Sequence, residues 1–212
     1  MVIPTISLEQ SLWQQGYINV AGVDEAGKGP YAGPVTAGAV VIHNNKQVVE
    51  SVRDSKLMNR KQREEAFEKI CESSSAFGIG IVDTKEIDTV GIDLAVKKAM
   101  LLALHAIEKK FRLQISFVII DGSKTKPLER YPSKRILRGG LYHYSISAGS
   151  ILAKVTRDRI MLDMAHKYPQ YGFEKHVGYG TKLHQHALEE YGPCEIHRKS
   201  YGPIKKLLDK NF

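Results

Sequence analysis

The order of the apolar runs constrains this chain most. INVAGVD (18–24) and VTAGAVVI (35–42) are short β-prone runs joined by a Gly- and Pro-rich turn; FGIGIVD (77–83) and FVIID (117–121) follow, with helical stretches between them. From Asn59 to Ser73 the composition is helical, with Asn59 as an N-cap and Ala66, Phe67 and Ile70 on one face. Asp88 to Phe111 holds a long amphipathic helix, with Ile92, Ala95, Val96, Ala99, Leu102 and Ala103 at i, i+3, i+4, i+7 spacing. Residues 122–145, which include Pro127, Pro132, Gly139 and Gly140, are expected to be loop with a short strand. ISAGSILAKVTRDRIMLDMAHKY (146–168) reads as a helix capped by Ser147, whose small residues Ser147, Ala148 and Gly149 permit close approach to another element. Helices near 181–191 and 203–210 end the chain. Strands first, then a strand followed by helices, predicts an α/β fold with a mixed sheet and a helical C-terminal extension.

A chain of 212 residues supports one sizeable core, or a core with a small appendage. It shows no internal repeat and no low-complexity linker. Cys71 and Cys194 share no short spacing, the usage of a reduced compartment. No apolar run approaches the roughly 18 residues of a membrane helix, and MVIPTISLEQ lacks the basic-then-apolar pattern of a signal peptide. A soluble, cytoplasmic protein with no membrane partner is expected. The net charge is +8, and residues 122–157 alone hold eight basic side chains (Lys124, Lys126, Arg130, Lys134, Arg135, Arg138, Lys154, Arg157) against one acid, Glu129. A cluster of this kind suits a polyanion that releases its condensed counterions on binding.

Two strands end on carboxylates: Asp24 and Glu25 before Gly27-Lys28-Gly29-Pro30, and Asp121 before Gly122. Acids at the ends of neighbouring strands converge on one point, and hard cations such as Mg²⁺ are held by one or two carboxylates with water and substrate phosphate. Asp24 and Glu25 face opposite sides of a regular strand, so the glycines after them are expected to let the chain leave strand geometry and turn both inward. Acids beside a basic segment predict metal-assisted phosphodiester chemistry, the work of a nuclease. AGKGPYAG (26–33) has the look of a phosphate-cradling loop, but Pro30 and Pro34 lead into a β-run and no Gly-Lys-Ser/Thr follows. A turn whose backbone comes close to a sugar or phosphate remains. His184, His186, Cys194 and His197 lie within fourteen residues, yet H-x-H then C-x-x-H matches no common zinc finger.

GVDEAGKGPYAGPV (22–35), RDSK (53–56), VIIDG (118–122), ISAGSILAKVTRDRIM (146–161), YPQYGFEKHVGYGTKLH (168–184) and YGPCEIHRKS (191–200) resemble, in order, the signature blocks of bacterial ribonuclease HII. The resemblance implies an RNase H-like fold, with a mixed central β-sheet flanked by helices over 1–168 and a small helical extension over 169–212 packed on it. It implies a Mg²⁺- or Mn²⁺-dependent endonuclease that hydrolyses RNA in RNA–DNA hybrids and nicks 5′ to single ribonucleotides in duplex DNA, leaving 3′-hydroxyl and 5′-phosphate ends. By position, Asp24, Glu25 and Asp121 match the metal-binding, catalytic carboxylates. Gly27-Lys28-Gly29 stands for the family's Gly-Arg-Gly loop, whose backbone reads the ribose 2′-hydroxyl; lysine keeps the charge and loses the planar fork. Tyr179 matches the tyrosine that packs on the sugar beside the ribonucleotide, and Lys56 and Lys182 are expected to contact phosphates. A monomer is expected, and KLLDKNF at the C-terminus has no clamp-binding pattern.

One position departs from the family. A fourth aspartate is expected six residues before Ile146, where Gly140 stands. Its loss opens a second reading, a weakly active or non-catalytic hybrid-binding protein. Asp158 is the nearest acid, but it lies roughly 16 Å along the helix from Ser147 and is expected to be structural. His143 is expected to face the site as a proton carrier.

Overall fold

Alternation along the strands decides which residues meet which helix. In a computed structural model, which describes residues 2–122 and 128–210, the central sheet has the order β3-β2-β1-β4-β5. Its strands are β1 (Val20–Ala26), β2 (Val35–Val41), β3 (Ala76–Val82), β4 (Phe117–Asp121) and β5 (Ser133–Ile136). β1, β2 and β3 form an antiparallel meander, whereas β4 runs parallel to β1 and β5 parallel to β4. The predicted mixed sheet is therefore present, and residues 123–127 of the expected loop, with Lys124 and Lys126, lie outside the described residues.

One face of the sheet packs Ala21, Val23, Ala37 and Ala39 against Ala95, Ala99 and Ala103 of helix α4 (Ile92–Phe111). The other face packs Val40 against Ala148, Ile151 and Leu152 of helix α6 (Tyr144–Lys167) and against Ala66 and Ile70 of α2 (Arg60–Ser73). Small residues set the depth of both contacts. A Cβ on Gly38 would lie 2.2 Å from the Gly149 carbonyl oxygen, and one on Gly80 would lie 1.9 Å from that of Ala99.

Several expectations change in detail. Asn59 does cap α2, in a full capping box with Gln62. The long helix expected from Asp88 breaks at Gly91 (φ +80°) into α3 (Thr84–Val90) and α4, because a left-handed φ cannot continue a right-handed helix. α6 begins at Tyr144, so Ser147 is not its cap; within the helix its hydroxyl donates to the carbonyls of Gly140 (2.5 Å) and His143 (3.1 Å). A short helix α5 (Gly139–Tyr142) precedes α6. Helix α1 (Ser7–Gln14) was not anticipated; its buried Glu9 accepts from the Ser145 N–H and hydroxyl and so holds the head of α6. α7 (Phe173–His176), α8 (Lys182–Tyr191) and α9 (Gly202–Lys210) make up the C-terminal part. Ala187, Leu188 and Ile204 there pack on Met161 and Ala165 of α6 and on Ala32. Among the described residues no helix is long and apolar enough to cross a membrane.

Candidate active site

Strand register brings the acids together. Val23 of β1 pairs with Ile120 of β4, so the next residues, Asp24 and Asp121, fall side by side where the pairing of these two strands ends. Both point to the α6 side: Ile119, two before Asp121, packs on Ile146, and Asp24 is hydrogen-bonded by the Ser150 hydroxyl of α6. Glu25 does not depend on a break in the strand. β1 stays paired with β2 through Ala26, and the chain turns only afterwards, at Gly27 with φ +93°. At the end of a sheet both sides of a strand open on the same cleft, which is why Glu25 still reaches it.

That cleft, of about 260 Å³, is lined by Asp24, Glu25, Asp121, the loop Ala26–Gly29, Lys56 and Tyr179, with Ser55, Arg63, Ser150, Lys154 and Arg157 completing its wall. Of the predicted residues, Asp24, Glu25, Asp121, Gly27, Lys28, Gly29, Lys56 and Tyr179 thus meet in one place. Lys182 does not: it is exposed at the start of α8, off the cleft wall. His143 lines neither this cleft nor its neighbour; its electrostatic neighbours are Glu9 and Lys134, and burial holds its ring below the usual histidine range. Asp158 is buried and paired with Lys154 (2.7 Å) and Arg63 (3.7 Å).

Burial raises the Asp24 carboxyl well above the usual range, and the charges of Glu25 and Asp121 raise it further. Glu25 is raised by burial and by Asp121, against the lowering pull of Lys28 and Lys56. The Glu25 Oε2 atom is buried without a hydrogen-bond partner. Three mutually repelling carboxylates with an unsatisfied oxygen fit a hard divalent cation, which relieves repulsion and desolvation at once. Among the described residues no three His, Cys, Asp or Glu side chains close a cage by themselves. An open carboxylate edge, completed by water and phosphate, suits Mg²⁺-type ions.

The cleft is braced by residues whose supporting role the sequence did not show. Asp121 Oδ1 accepts the N–H groups of Gly122 (2.9 Å) and Gly139 (2.6 Å), so the start of α5 orients it. Two buried arginines hold the glycine loop by its carbonyls. Arg198 donates to the carbonyls of Gly27 (2.6 Å), Lys28 (3.1 Å) and Gly33 (2.9 Å), and Arg157 to those of Ala32, Pro34 and Val177, each at 2.9 Å. The basic segment is therefore not one cradle. Arg157 is 1% exposed, Arg130 is paired with Glu108 and Lys154 with Asp158. Among the described residues Lys134, Arg135 and Arg138, on or beside the edge strand β5, are exposed, as is the paired Arg130. The only signal for Arg198 was its place in the YGPCEIHRKS block.

The histidines do not converge on a metal. His184 and His197 face each other, Nε2 to Nε2 at 2.9 Å, and their Nδ1 atoms meet the backbone of Tyr179 and Cys194, whereas His186 is exposed beside Glu190.

A family model described as Ribonuclease HII matches residues 21–203. The chain is 46% identical over 201 residues to ribonuclease HII of Caldicellulosiruptor bescii, covering 95% of this chain and 94% of that protein. It is 40% identical to ribonuclease HII of Acholeplasma laidlawii, covering 98% and 99%. The crystal structure of ribonuclease H2 from Pyrococcus horikoshii superposes with a TM-score of 0.75 at 26% identity, covering 91% of this chain and 98% of that one. Bst-RNase HIII in complex with Mn²⁺ shares the fold, with a TM-score of 0.64 at 18% identity over 93% and 71% of the two chains. With sheet order, acidic cleft and near-full-length likeness in agreement, the chain belongs to the ribonuclease HII family, the metal-dependent ribonucleases H that cut RNA–DNA hybrids.

Proposed function

We propose that this protein cuts the RNA strand of hybrids and nicks duplex DNA 5′ to a single embedded ribonucleotide, leaving 3′-hydroxyl and 5′-phosphate ends. The observation that carries the reading is the single cleft that unites Asp24, Glu25 and Asp121 with the Gly27–Gly29 loop, Lys56 and Tyr179. Asp24, Glu25 and Asp121 hold Mg²⁺ or Mn²⁺. When bound, the ion polarises the phosphate and lowers the pKa of water.

The remaining tasks fall to the chain itself. The loop offers backbone to a ribose 2′-hydroxyl, the group that separates RNA from DNA. Arg198 holds the Gly27 and Lys28 carbonyls on the protein side and Arg157 those of Ala32 and Pro34 that follow, which makes the loop a preorganised reader. Lys28 pairs with Asp93 at 2.9 Å, so it fixes the loop to the start of α4. Tyr179 is 45% exposed at the cleft rim, and a Cβ on Gly29 would lie 3.7 Å from its ring, so the glycine keeps open the gap a sugar would enter. Lys56, exposed on the same rim, meets phosphate.

The test is a duplex with one ribonucleotide, incubated with Mg²⁺ or Mn²⁺ and resolved on a denaturing gel. A single nick 5′ to the ribonucleotide is expected, with Asp121→Asn slowing it by at least about 10². The second reading, a hybrid binder with little turnover, is favoured by the bare Gly140; it requires salt-sensitive binding that survives Asp121→Asn and no nick in wild-type protein.

A further inference from the structure

The carboxylate site continues into a second cleft. Asp121 and Lys56 line both, and the second, of about 370 Å³, is also walled by Asp54, Arg138 and Leu141. Asp54 caps the tight turn Ser55–Leu57: its Oδ1 accepts the Lys56 N–H at 2.9 Å. Its other oxygen, Oδ2, lies 3.4 Å from the point that a Cβ on Gly140 would occupy.

Neither partner is loosely held. The Ser55 hydroxyl bonds that of Ser150 at 2.7 Å, and Ser150 also bonds Asp24, so the turn is tied to the first carboxylate. Arg63 donates to the carbonyls of Ser55 and Met58. Gly140 is buried, and its carbonyl accepts from the Ser147 hydroxyl. A carboxylate oxygen is thus fixed next to the position where residue 140 has no side chain. Lys56 and Arg138 on the same wall offset the charge of Asp54 and Asp121. Asp158, the other acid considered, is committed to Lys154 and Arg63.

We infer that Asp54 is a further cation-binding carboxylate, acting with Asp121 across the second cleft in the place that Gly140 leaves bare. The inference rests on the reading of Asp24, Glu25 and Asp121 as the cation site. It extends that site by a residue from a different part of the chain, the turn before α2.

Mn²⁺ binding to the full chain without nucleic acid, followed by the electron paramagnetic resonance of free Mn²⁺, tests it apart from activity. Asp54→Asn keeps an oxygen for the Lys56 N–H and therefore keeps the turn; its thermal midpoint serves as the check. The expected result is Mn²⁺ binding weakened about tenfold or more, with binding largely recovered when Gly140→Asp is added to Asp54→Asn. An unchanged isotherm for Asp54→Asn beside a weakened one for Asp121→Asn would overturn the role of Asp54 and leave it a turn cap. Unchanged isotherms for both variants would overturn the carboxylate site itself.

Discussion

Arg157 and Arg198 are cations in the interior, 1% and 0% exposed, and their partners are mostly backbone carbonyls rather than carboxylates. Burial pushes the Arg157 guanidinium down to about 10, with the charge of Arg198 adding to the effect. Holding two like charges this way makes sense only if the carbonyls they collect matter, and those belong to the glycine loop and its flanks. The planar fork of Arg198 has five donors and serves the carbonyls of Gly27, Lys28, Gly33 and Pro34 together; an ammonium has three donors at a single point. In Arg198→Lys the Lys28 carbonyl keeps the Tyr201 hydroxyl and the Pro34 carbonyl keeps Arg157, so the loss falls on the carbonyls of Gly27 and Gly33 and should destabilise the fold by about 1–3 kcal/mol, read by denaturant unfolding. The KM for a ribonucleotide-containing duplex should rise as the loop loosens. A variant with wild-type stability and KM would mean that water satisfies those carbonyls and that the arginine is dispensable.

At the scale of elements, α6 organises the site, and it can do so because its first turns lie almost on the sheet. Gly149 faces Gly38, and a Cβ on Gly149 would lie 2.7 Å from the Gly38 carbonyl oxygen. This proximity carries Ser150 to Asp24 and lets Thr36 of β2 donate to the Ala153 carbonyl at 2.9 Å. Gly38→Ala would drive a methyl against backbone on the helix side, where no flexible side chain can give way. A loss of about 3 kcal/mol follows, or a thermal midpoint lower by about 6–12 °C for a chain of this size. Cleavage should fall more than stability alone explains, because lifting α6 separates Ser150 from Asp24. The small residues at the head of this helix did announce a close approach. Its start did not show in the sequence: Ser147 has the chemistry of a cap, but the packing of Tyr144 and the Glu9–Ser145 bonds carry the helix three residues further back.

The whole molecule carries two opposed pH dependences. The hydrogen bond between His184 and His197 needs one Nε2 to donate and the other to accept, so it is lost when both rings are protonated; burial lowers each from 6.5 to about 4. In the unfolded chain these rings take up protons near 6.5, in the folded one only near 4, so stability present above 6.5 is lost as pH falls through that window, by up to about 1.4 kcal/mol per unit and ring. Asp24 and Glu25 act the other way. Their raised folded pKa values mean that the cation-free protein loses stability as pH rises from the usual carboxylate range through the raised values. The two windows overlap below 6.5 and offset each other there, so in thermal melts Mn²⁺ should raise the midpoint increasingly as pH rises above the usual carboxylate range, while leaving the acid side in place. A lift of the acid side as well would place the ion at the histidines instead. The strands, the main helices and the acids at the strand ends were readable in the sequence alone, because they follow from local periodicity and from residues adjacent in the chain. The break at Gly91 was hidden, since the apolar spacing from Ile92 onward does not say where the helix starts and the glycine's left-handed φ appears only in three dimensions. Sequence likewise determined that the protein is basic, but only the tertiary structure decided which cations face outward. It buried Arg157, paired Lys154 and Arg130, and turned Asp54 toward Gly140. These are contacts between segments far apart in the chain, and a side chain's charge says nothing of the neighbour that packing will bring to it.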